Sequence, residues 1–94
     1  MTDTRLSDAE IDARLTGSHW QREGEEISRE LELESFTAAI AAVNRVAALA
    51  EAHNHHPDIL VHDWNTLRLT LSTHSAGGLT AADFDLAAEL DRAL

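Results

Sequence analysis

The sequence predicts an α+β domain: a four-stranded antiparallel sheet with helices packed on one face, in the order α-β-β-α-β-β-α. Three observations carry that prediction. Residues 26–33 and 67–73 alternate apolar and polar side chains with the period of a half-buried strand. Between them lies a long alanine-rich segment whose apolar residues recur at helical spacing. Towards either end, a Ser-x-x-Glu and a Thr-x-x-Asp pattern mark helix starts.

The first helix is expected over residues 7–16. Ser7 and Glu10 have capping-box spacing, Leu6 and Ile11 have the spacing of a hydrophobic staple, and Gly17 is placed to end the helix. A short strand over residues 19–22 then turns at Gly24. In the strand over 26–33, Ile27, Leu31 and Leu33 share one face and Glu26, Ser28, Glu30 and Glu32 the other, while Arg29 breaks the apolar parity. The long helix is expected over 35–53. There Phe36, Ile40, Val43, Ala47 and Ala50 form one apolar stripe, and the many alanines favour helix and permit close packing. Pro57 blocks continuation, so the helix ends within Asn54-His55-His56.

Residues 58–64 form a short strand candidate, with the following turn beginning at Asn65 or Thr66. In the strand over 67–73, Leu67, Leu69 and Leu71 face one way and Arg68, Thr70 and Ser72 the other. Ala76-Gly77-Gly78 is a loop. The last helix starts at Thr80, with Asp83 at the reciprocal capping position, Leu79 and Phe84 as the staple, and Leu86, Ala87 and Leu90 on the buried face. Two hairpins separated by a helix imply an antiparallel sheet whose second face is left open for a ligand or a partner.

No repeat, low-complexity tract or linker appears, and 94 residues suit a single domain spanning 1–94. A core of that size makes association into dimers or larger assemblies a reasonable expectation. Cysteine is absent, which removes disulfides and thiolate metal ligands together. The formal charge is −10, from 17 acidic residues against 7 arginines and no lysine. Such a surface repels phosphate backbones and anionic membranes, so no direct nucleic-acid or membrane partner is expected. The polar start Met1-Thr2-Asp3-Thr4-Arg5 predicts no signal peptide, and no apolar run approaches a bilayer span; the cytoplasm is the expected location.

The chemistry is concentrated in histidine. The six stand at 19, 53, 55, 56, 62 and 74, four of them between His53 and His62. Three readings compete. His-x-His-His invites a metal, but a closed zinc site wants four ligands at defined geometry, and these would have to come from distant elements without cysteine; no metal is expected. A structural role is open to His53 and His55, because a histidine after a helix can cap its last carbonyls and favours the negative dipole end. The third reading is acid–base catalysis, for which imidazole is suited near neutral pH. Glu51 and His55 are four residues apart, so a helix persisting to His55 would place them on one face, where the carboxylate could fix the imidazole's tautomer. Spacing alone does not choose among the three.

The ordered set Glu51, then His55-His56-Pro57 after three intervening residues, then Trp64, then His74 after nine more, then Asp83, resembles the signature of the pterin-4a-carbinolamine dehydratase family. The run from Leu71 to Thr80 is similar to the family's strand end and loop, and Trp20, the Ile27-x-Arg29 pair and Phe36 fall where members usually carry such residues. The resemblance extends from about Leu6 to Leu94. Three features depart from it: His19 stands where glycine is frequent, Leu31 and Leu33 stand where phenylalanine is common, and the segment between Pro57 and Trp64 looks one residue longer than in animal members.

The resemblance implies the fold read above, a homodimer or homotetramer, no cofactor, and loss of water from 4a-hydroxytetrahydropterin to give quinonoid dihydropterin. It implies His55 and His74 as the acid–base pair, with His56 binding and orienting the pterin and sharing the proton work. Glu51 would hold His55 or contact the ring. Pro57, Thr73 and Ser75 would line the pocket, and Trp20 and Trp64 could stack on the flat pterin or pack in a core or an interface. Asp83 also reads as a helix cap, and His53 and His62 as surface residues. His74 has the parity opposite to Leu67, Leu69 and Leu71, which points its side chain to the open face. The competing function is a non-catalytic binding or dimerisation cofactor protein on the same fold, whose sequence sign would be loss of His55 or His74; both are present.

Overall fold

A computed structural model describes residues 4–94. Met1, Thr2 and Asp3, on which the signal-peptide expectation partly rests, lie outside the described residues. Helix α1 (Asp8–Leu15) begins at Ser7 with the reciprocal bonds of a capping box: the Ser7 hydroxyl accepts from the Glu10 N–H at 3.1 Å, and the Glu10 carboxylate accepts from the Ser7 N–H at 2.9 Å. Hydrogen bonding to the Ser7 backbone N–H first, and to the Ser7 hydroxyl second, holds the Glu10 carboxyl below the usual glutamate range. Strands β1 (Gln21–Glu23) and β2 (Glu26–Glu32) form a hairpin around Gly24. Helix α2 (Phe36–His53) starts where the Ser35 hydroxyl accepts from the Ala38 N–H, and β3 (Asp58–His62) and β4 (Thr66–Leu71) form the second hairpin. A 3-10 turn (His74–Ala76) leads to α3 (Ala81–Ala93), capped by Thr80 and Asp83.

The four strands lie in the order β1-β2-β4-β3, with every neighbour antiparallel. Register places Leu67, Leu69 and Leu71 of β4 opposite Leu31, Arg29 and Ile27 of β2. The three β4 leucines and Ile27 are fully buried with Ile11, Val46, Leu79, Leu86 and Leu90, which forms the core between sheet and helices, and Leu31 packs against it half-buried. The other sheet face carries Glu30 beside Arg68, whose guanidinium meets Glu23 at 2.7 Å and Glu30 at 3.7 Å. Arg29 obeys the parity that its charge broke. It points to the helix side, pairs with Asp91 of α3, and shares that carboxylate oxygen with the indole N–H of Trp20. A charge on the apolar face is tolerated because its partner comes from the covering helix.

The expected stripe of α2 needs correction. Phe36 is 55% exposed and Ile40 39%, while the buried face is Ala39, Ala42, Val46 and Ala50. The helix is apolar over more than one stripe. Close packing selects small residues for the covered face, and Phe36 and Ile40 lie on the adjacent one. Smaller corrections concern strand ends. β3 stops at His62 rather than running to residue 64, because Asp63 and Trp64 both take positive φ, at 49° and 57°. β4 spans Thr66–Leu71, and its alternation gives way to the 3-10 turn, so strand parity does not place His74. No helix among the described residues is long and apolar enough to cross a membrane.

Candidate active site

The site is built where three chain segments meet: the end of α2, the turn after β4 and the start of α3. Asn54 adopts the left-handed conformation at the end of α2, and its N–H bonds back towards Ala50 and Glu51. The His55 N–H then closes on the Ala50 carbonyl at 3.1 Å. This reversal, with Pro57 forbidding further helix, fixes the direction in which His55 and His56 leave α2.

Each of these histidines is tied to a carboxylate. His55 Nε2 lies 2.6 Å from Asp83 Oδ1, and His56 Nε2 lies 2.6 Å from Glu51 Oε2. The pairing expected between Glu51 and His55 is therefore replaced. It required helix as far as His55, and the helix ends at His53, so Glu51 meets the next histidine instead. Asp83 is fully buried, and its role as a helix cap is only part of what it does. Oδ2 accepts from the Thr80 N–H at 3.0 Å and from the Thr73 hydroxyl at 2.8 Å, while Oδ1 holds His55. One carboxylate thus joins the sheet end, the start of α3 and the tail of α2.

Thr73 is buried and directs its hydroxyl inward to Asp83 and Thr80, not to a pocket. His74 follows it and is exposed at the start of the turn, which is closed by the Ala76 N–H on the Thr73 carbonyl at 3.0 Å and the Gly77 N–H on the His74 carbonyl at 3.1 Å. This sets the His74 backbone one residue from a hydroxyl that shares a carboxylate with His55. Ser75 is exposed in the same turn, and Pro57 is half-buried next to His56. Glu51, His55, His56, Pro57, Thr73, His74 and Ser75 therefore all belong to this group of segments.

Trp20 does not. It is buried in the core with its indole N–H donating to Asp91 at 2.9 Å, eight residues beyond Asp83 on α3 and so about 12 Å further along the helix. Trp64 is 62% exposed at the β3–β4 turn. His62 lies on the open sheet face between Asp63 at 2.9 Å and Glu30 at 3.3 Å; hydrogen bonding to Asp63, then to Glu30, raises its imidazole above the ordinary histidine range. Among the described residues, no group of three His, Cys, Asp or Glu side chains is arranged to hold a metal ion.

Sequence reasoning placed the histidines but not their carboxylates. The signal for Asp83 was present in the Thr80-Ala81-Ala82-Asp83 capping pattern, but its second partner stands 28 positions away and no local spacing reveals it.

Comparison with known proteins identifies the family and the fold. Residues 4–93 match the family model described as pterin 4 alpha carbinolamine dehydratase. A Roseiflexus sp. protein, provisionally named a pterin-4-alpha-carbinolamine dehydratase, is 56% identical over 91 residues, covering 94% of this chain and 95% of its own. A Nocardia farcinica protein with the same provisional name is 54% identical over 92 residues, covering 97% and 96%. Among solved structures, a Brucella melitensis protein described as a transcriptional coactivator/pterin dehydratase superposes with a TM-score of 0.87 at 29% identity, over 95% of this chain and 97% of that one. A pterin dehydratase-like protein described as a RuBisCO assembly factor in the alpha-carboxysome shares the fold, with a TM-score of 0.62 at 23% identity over 78% and 83% of the two chains.

Proposed function

Since the chain belongs to the pterin-4a-carbinolamine dehydratase family, we propose that it removes water from 4a-hydroxytetrahydropterin, giving quinonoid dihydropterin, by histidine acid–base catalysis. The observation that carries this reading is the pair of carboxylate-anchored histidines, His55 on Asp83 and His56 on Glu51, beside the turn that bears His74. In the substrate, a hydroxyl and a ring nitrogen share one carbon. The C–O bond breaks as an acid delivers a proton to the leaving oxygen. A base takes the proton from the ring nitrogen, whose electrons form the C=N bond. Proton transfers are all that this balance requires, and each positioned acid or base typically contributes about 10²–10⁴ in rate.

His55 and His74 are the proposed acid–base pair, and His56, held by Glu51, orients the pterin and shares the proton work. Pro57 and Ser75 border the substrate. We place the reaction in the cytoplasm, in tetrahydropterin recycling.

We also assign a homodimer or homotetramer. Support comes from β3, an edge strand with Ile59 and Leu60 exposed, and from the uncovered Phe36 and Ile40 of α2. The same surfaces support the second reading, a binding role, for which the description of the Brucella melitensis protein as a coactivator is the precedent.

The deciding experiment follows dehydration of 4a-hydroxytetrahydropterin by ultraviolet absorbance, with and without the purified, chelator-treated chain. A clear acceleration is expected. No acceleration from folded protein overturns the enzymatic reading in favour of the binding role.

A further inference from the structure

Resting on that reading, we propose that Thr73 and Asp83 form a positioning device that fixes the tautomer of His55 and leaves Nδ1 as the nitrogen that meets the substrate. A buried chain of hydrogen bonds runs from the start of α3 to the Asp83 carboxylate, and its hydrogens can be assigned. At one end, the Ala82 N–H can only donate, and it does so to the Thr80 hydroxyl oxygen at 3.3 Å. At the other, the Asp83 carboxylate accepts. Each threonine hydroxyl owns a single hydrogen. Thr73 directs its own to Asp83 Oδ2 at 2.8 Å, so in the 2.8 Å contact between the two threonines Thr80 donates and Thr73 accepts.

Every hydrogen in the chain therefore points towards the carboxylate. Oδ2 takes two of them, from Thr73 and from the Thr80 N–H at 3.0 Å, and Oδ1 is left to His55 Nε2 at 2.6 Å. Nε2 must then carry a hydrogen, and the neutral ring has its lone pair on Nδ1. Thr80 and Asp83 are fully buried and Thr73 nearly so, which keeps solvent from competing for these bonds. Thr73 acts through Asp83 on His55 and directly precedes His74, so a single device indexes both histidines of the proposed pair.

The first test needs no substrate. In nitrogen-15 NMR of the native protein, the neutral form of His55 should be protonated at Nε2; a ring protonated at Nδ1 overturns the proposal. Asp83→Asn is the sharper variant. The two donors at the Oδ2 position require the amide oxygen there, which turns the NH₂ towards His55 Nε2 and makes that nitrogen an acceptor. The tautomer should invert, and kcat should fall about 10²–10⁴-fold with a smaller change in KM. An Asn variant that keeps the Nε2–H form overturns the direction of the chain. Thr73→Ser, which retains the hydroxyl, should keep the native tautomer, and a Ser variant with the inverted tautomer overturns the part assigned to that hydroxyl. An inactive native protein with Nε2-protonated His55 supports the device and refutes the reaction, so the two ideas fail separately.

Discussion

His74 is exposed in a turn held by backbone bonds, so replacing it removes an imidazole without opening the core. His74→Ala should cut dehydration by about two to four orders of magnitude while circular dichroism stays native. Near-normal turnover from the folded variant would remove His74 from the mechanism. His62 gives the pH-dependent test. Its folded pKa is raised, by Asp63 first and Glu30 second, so the folded state holds the proton more tightly than the unfolded chain. That contribution is fully present below the unfolded pKa and is lost as pH rises through the folded pKa. The Tm advantage of the native protein over His62→Gln should therefore shrink between mildly acidic and mildly alkaline pH; an advantage that grows over this range contradicts the assignment. At this scale, the family pattern made His55, His56 and His74 legible. The carboxylates serving His55 and His56 were not, because they depend on where α2 stops and on how α3 docks.

At the scale of the element, α2 separates hydrophobicity from burial. Val46 is fully buried and Phe36 mostly exposed on the same helix. Val46→Phe should overpack the helix–sheet contact and destabilise by about 1–3 kcal/mol in urea unfolding. Leu69→Ala, at the centre of β4, should cost about 2–5 kcal/mol through the cavity that it leaves. A Val46→Phe variant as stable as the native protein would mean that the helix does not pack through its alanine face. Strand alternation and capping spacings located the elements to within a few residues, since both signals are local. The rotation of α2 about its own axis is set by the elements packed against it, and no local signal encodes it when alanine surrounds the helix.

For the whole molecule, Phe36, Ile40, Ile59, Leu60 and Trp64 remain exposed on a chain of charge −10. Sedimentation velocity should give a mass of two or four chains, and Leu60→Lys on the edge strand should lower it while the helical signal persists. A native protein that sediments as a monomer would leave these apolar residues to a different partner.

The sequence by itself determined the order of elements, the parity of β2 and β4, the helix starts at Ser7, Ser35 and Thr80, and the set of histidines available for proton transfer. These follow from periodicity, capping chemistry and residue type, all of which act over a few residues. Only packing settles that Asp83 serves His55 while Glu51 serves His56, that Trp20 belongs to the core with Asp91 and Arg29, and that alanines rather than Phe36 and Ile40 are buried on α2. Each of those outcomes joins groups far apart in the chain, and only packing brings such groups within bonding distance.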